Sequence, residues 1–130
     1  MKIYDNSSNL LAIVIKPNDI INEKNFVTDN SQEFQLASFN LKEGTIIENH
    51  HHPKQKREIH STSEVITVIQ GKLTVKMFDN SLKFVQSVTI QAGETIALFE
   101  GGHGIEVIED CKFIESKQGP YIESIDKIRF

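Results

Sequence analysis

Apolar and β-branched residues gather in short runs along the chain, at 10–15, 34–41, 45–52, 64–70, 73–78, 82–91, 95–99, 104–109 and 111–116. The runs are rich in Val, Ile, Phe and Thr, which fit a pleated, half-buried surface, and most are bounded by turn formers. Gly71 reads as a tight hairpin between two of them. Asp79-Asn80-Ser81, Ala92-Gly93-Glu94 and Gly101-Gly102 punctuate others, because Gly and Asn tolerate positive φ. No segment carries a cap and an apolar stripe over three helical turns. The pattern therefore predicts an all-β chain, an antiparallel sandwich or barrel. Phe39, Phe78, Phe84, Phe99 and Phe113 are spread over the strands and read as core. Two polar stretches, 18–33 and 53–63, break the strand rhythm; the first reads as a connecting loop or a short turn of helix, the second as a long loop.

A chain of 130 residues has room for one domain, 1–130, large enough to fold without staples. The formal net charge of −4 argues against nucleic acid or an anionic membrane surface as partner, because both demand a basic footprint. The one basic cluster, Lys54, Lys56 and Arg57, is local. The single Cys111 forms no internal disulfide. The apolar run 10–15 ends at Lys16-Pro17, too short for a secretory segment or a membrane span, so a cytoplasmic location is expected.

Histidines carry the candidate chemistry. On a strand, residues two apart share a face, so His50 and His52 would project to one side while His51 points to the other. Glu64 opens the apolar run Val65-Ile66-Thr67-Val68-Ile69, where a carboxylate is costly to bury without a partner. Arg57, with its planar fork, and the neighbouring Lys54 and Lys56 suit a carboxylate or phosphate, although a solvated loop with Glu58 pairing locally is equally ordinary. Lys117 or Gln118 could face a cavity by strand alternation. Tyr121 and Phe130 read as cover for an apolar face or as a dimer contact.

Gly44, five residues, His50-x-His52, then Glu64 and, seven positions on, Gly71, with Gly93, Gly101 and His103 downstream, resembles the two motifs of the cupin superfamily. Eleven residues, Pro53 to Ser63, replace the usual short spacer before Glu64, Phe99 stands for the motif proline, and Val107 for its asparagine. The resemblance covers roughly 34–116. It implies a single-domain double-sheet jelly roll and a mononuclear site of His50, His52, Glu64 and His103, with His60 as the substitute should Glu64 lie outside the shell. Such a donor set takes a divalent Fe, Mn, Ni, Co or Zn ion.

The resemblance further implies a small polar, anionic substrate, in the manner of bacterial cupins of sugar and surface-polysaccharide metabolism: a sugar or nucleotide-sugar. The chemistry would be isomerase- or epimerase-like, or that of a dioxygenase. Glu48, Glu64 and His60 are the candidate proton-transfer groups and Arg57 the candidate anion contact. The alternative is a ligand-binding or sensing cupin without turnover. A homodimer is expected on the same ground.

Overall fold

The computed structural model describes residues 1–130. It is all-β, with one 3-10 turn at Pro17–Asp19 as its helical element. The strands are β1 (Lys2–Tyr4), β2 (Leu10–Ile15), β3 (Lys24–Phe26), β4 (Ala37–Phe39), β5 (Glu64–Phe78), β6 (Phe84–Gln91), β7 (Thr95–Leu98) and β8 (Gly102–Lys117). All pairings are antiparallel. Six strands form one sheet in the order β1-β2-β7-β5-β6, with β8 on the other side of β5, and β3 and β4 form a separate ribbon. No helix is long and apolar enough to cross a membrane.

β2, Leu-Leu-Ala-Ile-Val-Ile, is buried on both faces, which is why its apolar run is continuous rather than alternating. One face joins Leu11, Ala12 and Val14 to Ile66, Val68, Leu73, Val75, Met77, Ile90, Ile96 and Leu98 in the main core. The other face buries Ile13, Ala97 and Phe99 against Val27, Phe34 and Leu36 of the segment around β3 and β4. Phe34 meets Phe99 edge to face at 6.3 Å.

Gly71 makes no hairpin. It lies inside the fifteen-residue β5, where φ is +79° and an added Cβ would come 2.0 Å from the Asp110 carbonyl oxygen of β8. The sequence pattern records the event. The buried positions of β5 are Glu64, Ile66 and Val68 before Gly71, but Leu73, Val75 and Met77 after it, so the inward set changes parity. A bulge does this: the ladder with β8 slips between Val68 opposite Phe113 and Leu73 opposite Val107. Before the bend β5 also pairs with β7, and after it with β6. The turn 92–94 follows the corner, with Gly93 N–H donating to Val68 O at 2.8 Å and Ala92 N–H to Gly71 O at 3.2 Å.

Three further expectations change. Residues 45–52 form no strand and are exposed, as are all of 53–62. The runs at 104–109 and 111–116 are one strand, β8, because the irregularity at Asp110 and Cys111 is absorbed as a bulge opposite Gly71 instead of ending the strand. Of the five phenylalanines expected in the core only Phe99 is there; Phe39, Phe84 and Phe113 keep 48%, 59% and 39% of their surface exposed. Their positions lie on sheet faces that no second layer covers.

Candidate functional site

The bend at Gly71 carries the far end of the β5–β8 ribbon back over its near end. Glu64 starts β5 and lies opposite Lys117, the last residue of β8. His103, near the start of β8, lies opposite Met77 at the far end of β5. Their side chains nevertheless converge: His103 Nε2 is 3.0 Å from Glu64 Oε2, and Lys117 Nζ is 3.4 Å from Glu64 Oε1. Glu64 is 6% exposed, so both carboxylate oxygens are spoken for by polar partners inside the protein.

The hydrogen bond with His103 holds the Glu64 carboxyl below the ordinary carboxylate range, against the opposing effect of its burial, with the nearby charge of Lys117 adding to the same side. Burial alone would pull the Lys117 ammonium down, but the attraction of Glu64 and then Glu115 raises it overall. The Lys117 ammonium also sits 5.0 Å from the centre of the Tyr121 ring. Beside it, Gln118 Oε1 accepts from Ser63 N–H at 2.8 Å, while its Nε2 is buried without a partner.

Glu64 and His103 open into a cleft of about 630 Å³, walled by the 98–105 stretch on one side and by residues 126–130 on the other. That volume is in the range of small-molecule sites, roughly 300–1,000 Å³. Thr62 lies between this cleft and a smaller hollow of about 200 Å³ lined by His60, Ser61 and Gln118.

The other expected site residues are placed elsewhere. His50 and His52 are exposed on the strandless segment, their rings 5.3 Å apart and edge to face. His50 Nδ1 is 2.9 Å from the carbonyl oxygen of Glu48, whose own side chain is exposed. Arg57 is exposed, and Lys56 pairs with Glu58 at 3.6 Å. His60 is held by Glu33: its Nδ1 is 2.6 Å from Glu33 Oε1, and its backbone N–H donates to Oε2 at 2.8 Å. No three or more His, Cys, Asp or Glu side chains converge in a metal-holding arrangement. Of the four expected ligands, Glu64 and His103 are in contact, and the His50-x-His52 pair lies apart on its own segment.

Glu33 and the 126–130 segment had no functional signal in the sequence. Glu33 lies in a polar loop twenty-seven positions from His60, and in 126–130 only Phe130 stood out, as apolar cover rather than as part of a site. Compared with protein families, curated proteins and solved structures, the chain matches none.

Proposed function

We propose that this protein is a mononuclear metal-binding protein of the cupin kind, taking a small polar, anionic molecule in the cleft at Glu64 and His103. The observation that carries the reading is the Glu64–His103 contact. A buried carboxylate and a solvent-open imidazole from opposite ends of one bent ribbon meet at 3.0 Å at the side of a cleft large enough for a sugar-sized ligand. Carboxylate and imidazole are ligands for a borderline divalent ion, and His50-x-His52, which lies apart on its own segment, would supply two more imidazoles were that segment to pair as a strand.

The reading includes closure of the sheets into a double-sheet jelly roll. β8 pairs with β5 alone, leaving its outer edge free along sixteen residues. Segment 45–52 has a strand-like pattern and leaves Ile46 and Ile47 85% and 63% exposed. An unpaired edge and an exposed apolar strand former are each costly, and pairing them removes both costs.

A bound ion would supply Lewis acidity toward a carbonyl or hydroxyl oxygen of the ligand. The chain's own groups do the rest. Lys117, paired with Glu64 and held more firmly cationic by it, contributes a positive charge beside the carboxylate. His60, oriented through Nδ1 by Glu33, lines the smaller hollow. Isomerase- or epimerase-like chemistry would call on His60 as the proton-transfer group; a dioxygenase would rely on a redox-active ion instead.

One contact favours a second reading, a ligand-binding module without turnover. The Lys117 ammonium already neutralises Glu64, in a place where a cation would otherwise act. Elemental analysis of protein purified without a His tag or added metal separates the two. The metal reading expects near-stoichiometric metal that is lost in His103→Ala and in the His50→Ala/His52→Ala double variant. Folded protein that contains no metal and takes none up on addition leaves the binding module as the conclusion.

A further inference from the structure

The anion-recognition element of the cleft is not where the basic cluster of the sequence lies. Lys54, Lys56 and Arg57 are exposed and none of them lines the cleft. Three cationic side chains other than His103 do line it: Lys76, Lys127 and Arg129. Lys76 is tied to Glu106 at 2.9 Å. Lys127 and Arg129 make neither an ion pair nor a side-chain hydrogen bond, although both border the volume that Glu64 and His103 face. Of the acidic groups lining the cleft, Glu64 is held by His103 and Lys117, Glu100 accepts a hydrogen bond from Asn80 at 3.2 Å, and Asp126 forms no ion pair, leaving one carboxylate against the two cations.

The segment that presents these two cations is exposed throughout and touches the sheet through Phe130, itself 64% exposed. The Phe130 ring meets Phe78 edge to face with centroids 5.1 Å apart. It also rests on the backbone of Gly102, where an added Cβ would lie 2.7 Å from the ring. Gly102 is thus the floor on which the neighbour of Arg129 is seated, one residue before His103. This couples the position of the guanidinium to the strand that carries the site's imidazole.

We propose that Arg129, with Lys127, binds the anionic group of the cleft's ligand, a phosphate or carboxylate on a small molecule whose other end reaches Glu64 and His103. A guanidinium presents two parallel N–H donors in a plane, matching either oxyanion, and it does so here with no internal partner to displace. The inference rests on the cleft being the ligand site, but not on metal being present in it.

Inorganic phosphate and acetate, each titrated separately and followed by backbone amide NMR, test this. Saturable shifts are expected at residues 101–104 and 126–130, with phosphate the tighter ligand if the natural group is a phosphate and acetate if it is a carboxylate. Arg129→Glu is expected to weaken binding at least about tenfold, roughly 1.4 kcal/mol. Arg129→Lys should fall in between, because it keeps the charge and loses the fork. Gly102→Val, which unseats Phe130 while leaving both cations in the chain, should weaken binding as well, and Arg57→Glu should leave it within about twofold. Shifts centred on residues 54–57, unchanged affinity in Arg129→Glu, or no saturable response to either ion overturns the proposal. Metal content measured on the same samples separates the two readings. Phosphate held by Arg129 in a protein that takes up no metal upholds this inference and removes the metal, whereas metal retained with no anion response does the reverse.

Discussion

Glu64 and His103 touch at 3.0 Å even though their partners in the β5–β8 ladder, Lys117 and Met77, lie at opposite ends of the ribbon. A straight antiparallel pair of this length would hold them tens of ångströms apart, at about 3.3 Å per residue. The contact is therefore a consequence of the bend, and the bend is a consequence of Gly71. Its positive φ and its approach to the Asp110 carbonyl leave no space for a side chain.

Gly71→Ala is expected to cost about 3 kcal/mol or more, combining left-handed strain with a backbone overlap that cannot relax by a side-chain rotation. Gly44→Ala is the control. Its φ is +82°, but nothing lies within 4 Å of the added Cβ, so only the strain of roughly 1 kcal/mol remains. Chemical denaturation of the two variants checks this, and equal losses would remove the argument that close approach fixes the bend.

Removing the carboxylate should hurt more than removing the imidazole. Glu64→Ala removes the closer of the two carboxylates at Lys117, whose side chain is 17% exposed, leaving only Glu115 at 3.9 Å, and is expected to cost about 2 kcal/mol. His103→Ala leaves Glu64 still paired with Lys117 and is expected to cost about 1 kcal/mol. A double-mutant cycle should give a coupling of about 1 kcal/mol; additive losses would mean that the contact contributes nothing to folding.

Glu33 predicts a pH dependence. Hydrogen bonding from the His60 ring, then from its backbone N–H, holds the Glu33 carboxyl below its ordinary value. The folded value lies below the unfolded one, so this tether contributes its full stability above the unfolded carboxylate pKa and loses it as pH falls through the lower, folded value. The His60 and Ser61 amides should lose their hydrogen bonds in that acid window and not above it, which NMR titration follows directly. In Glu33→Gln the transition should disappear; its persistence would assign it to another group.

On the metal reading, adding Mn²⁺ or Zn²⁺ to the metal-free protein is expected to slow hydrogen exchange about tenfold or more in residues 45–52 and along the outer edge of β8, since strand pairing protects amides that are now exposed. Ile47→Pro should weaken metal uptake without removing a ligand, because proline cannot donate to the new ladder. Metal binding without added protection would leave the His50-x-His52 pair outside the site.

The strands that were legible were those whose burial follows from local pattern. β2 appears in the sequence with its observed limits, because a continuous apolar run bounded by Asn9 and Lys16-Pro17 leaves little alternative. β6 and β7, and the turns at 79–81 and 92–94, were legible for the same reason. The pattern at 45–52 looked equally strand-like, yet a strand also needs a partner's backbone, and that segment has none here.

Gly71 shows where local reading ends. A glycine between two apolar runs is compatible with a hairpin and with a bulge, and the choice depends on whether a second strand, β8, runs past it on both sides. The amino-acid order by itself determined an all-β chain, the core strands, and Glu64 and His103 as groups of interest. Only the tertiary structure decided that Glu64 and His103 meet, that Lys117 joins them, that Glu33 holds His60, and that Arg129 borders the cleft in place of Arg57. Periodicity reports which side of an element faces inward. Contacts between residues far apart in the chain depend on how the elements bend and pair, which no local window contains.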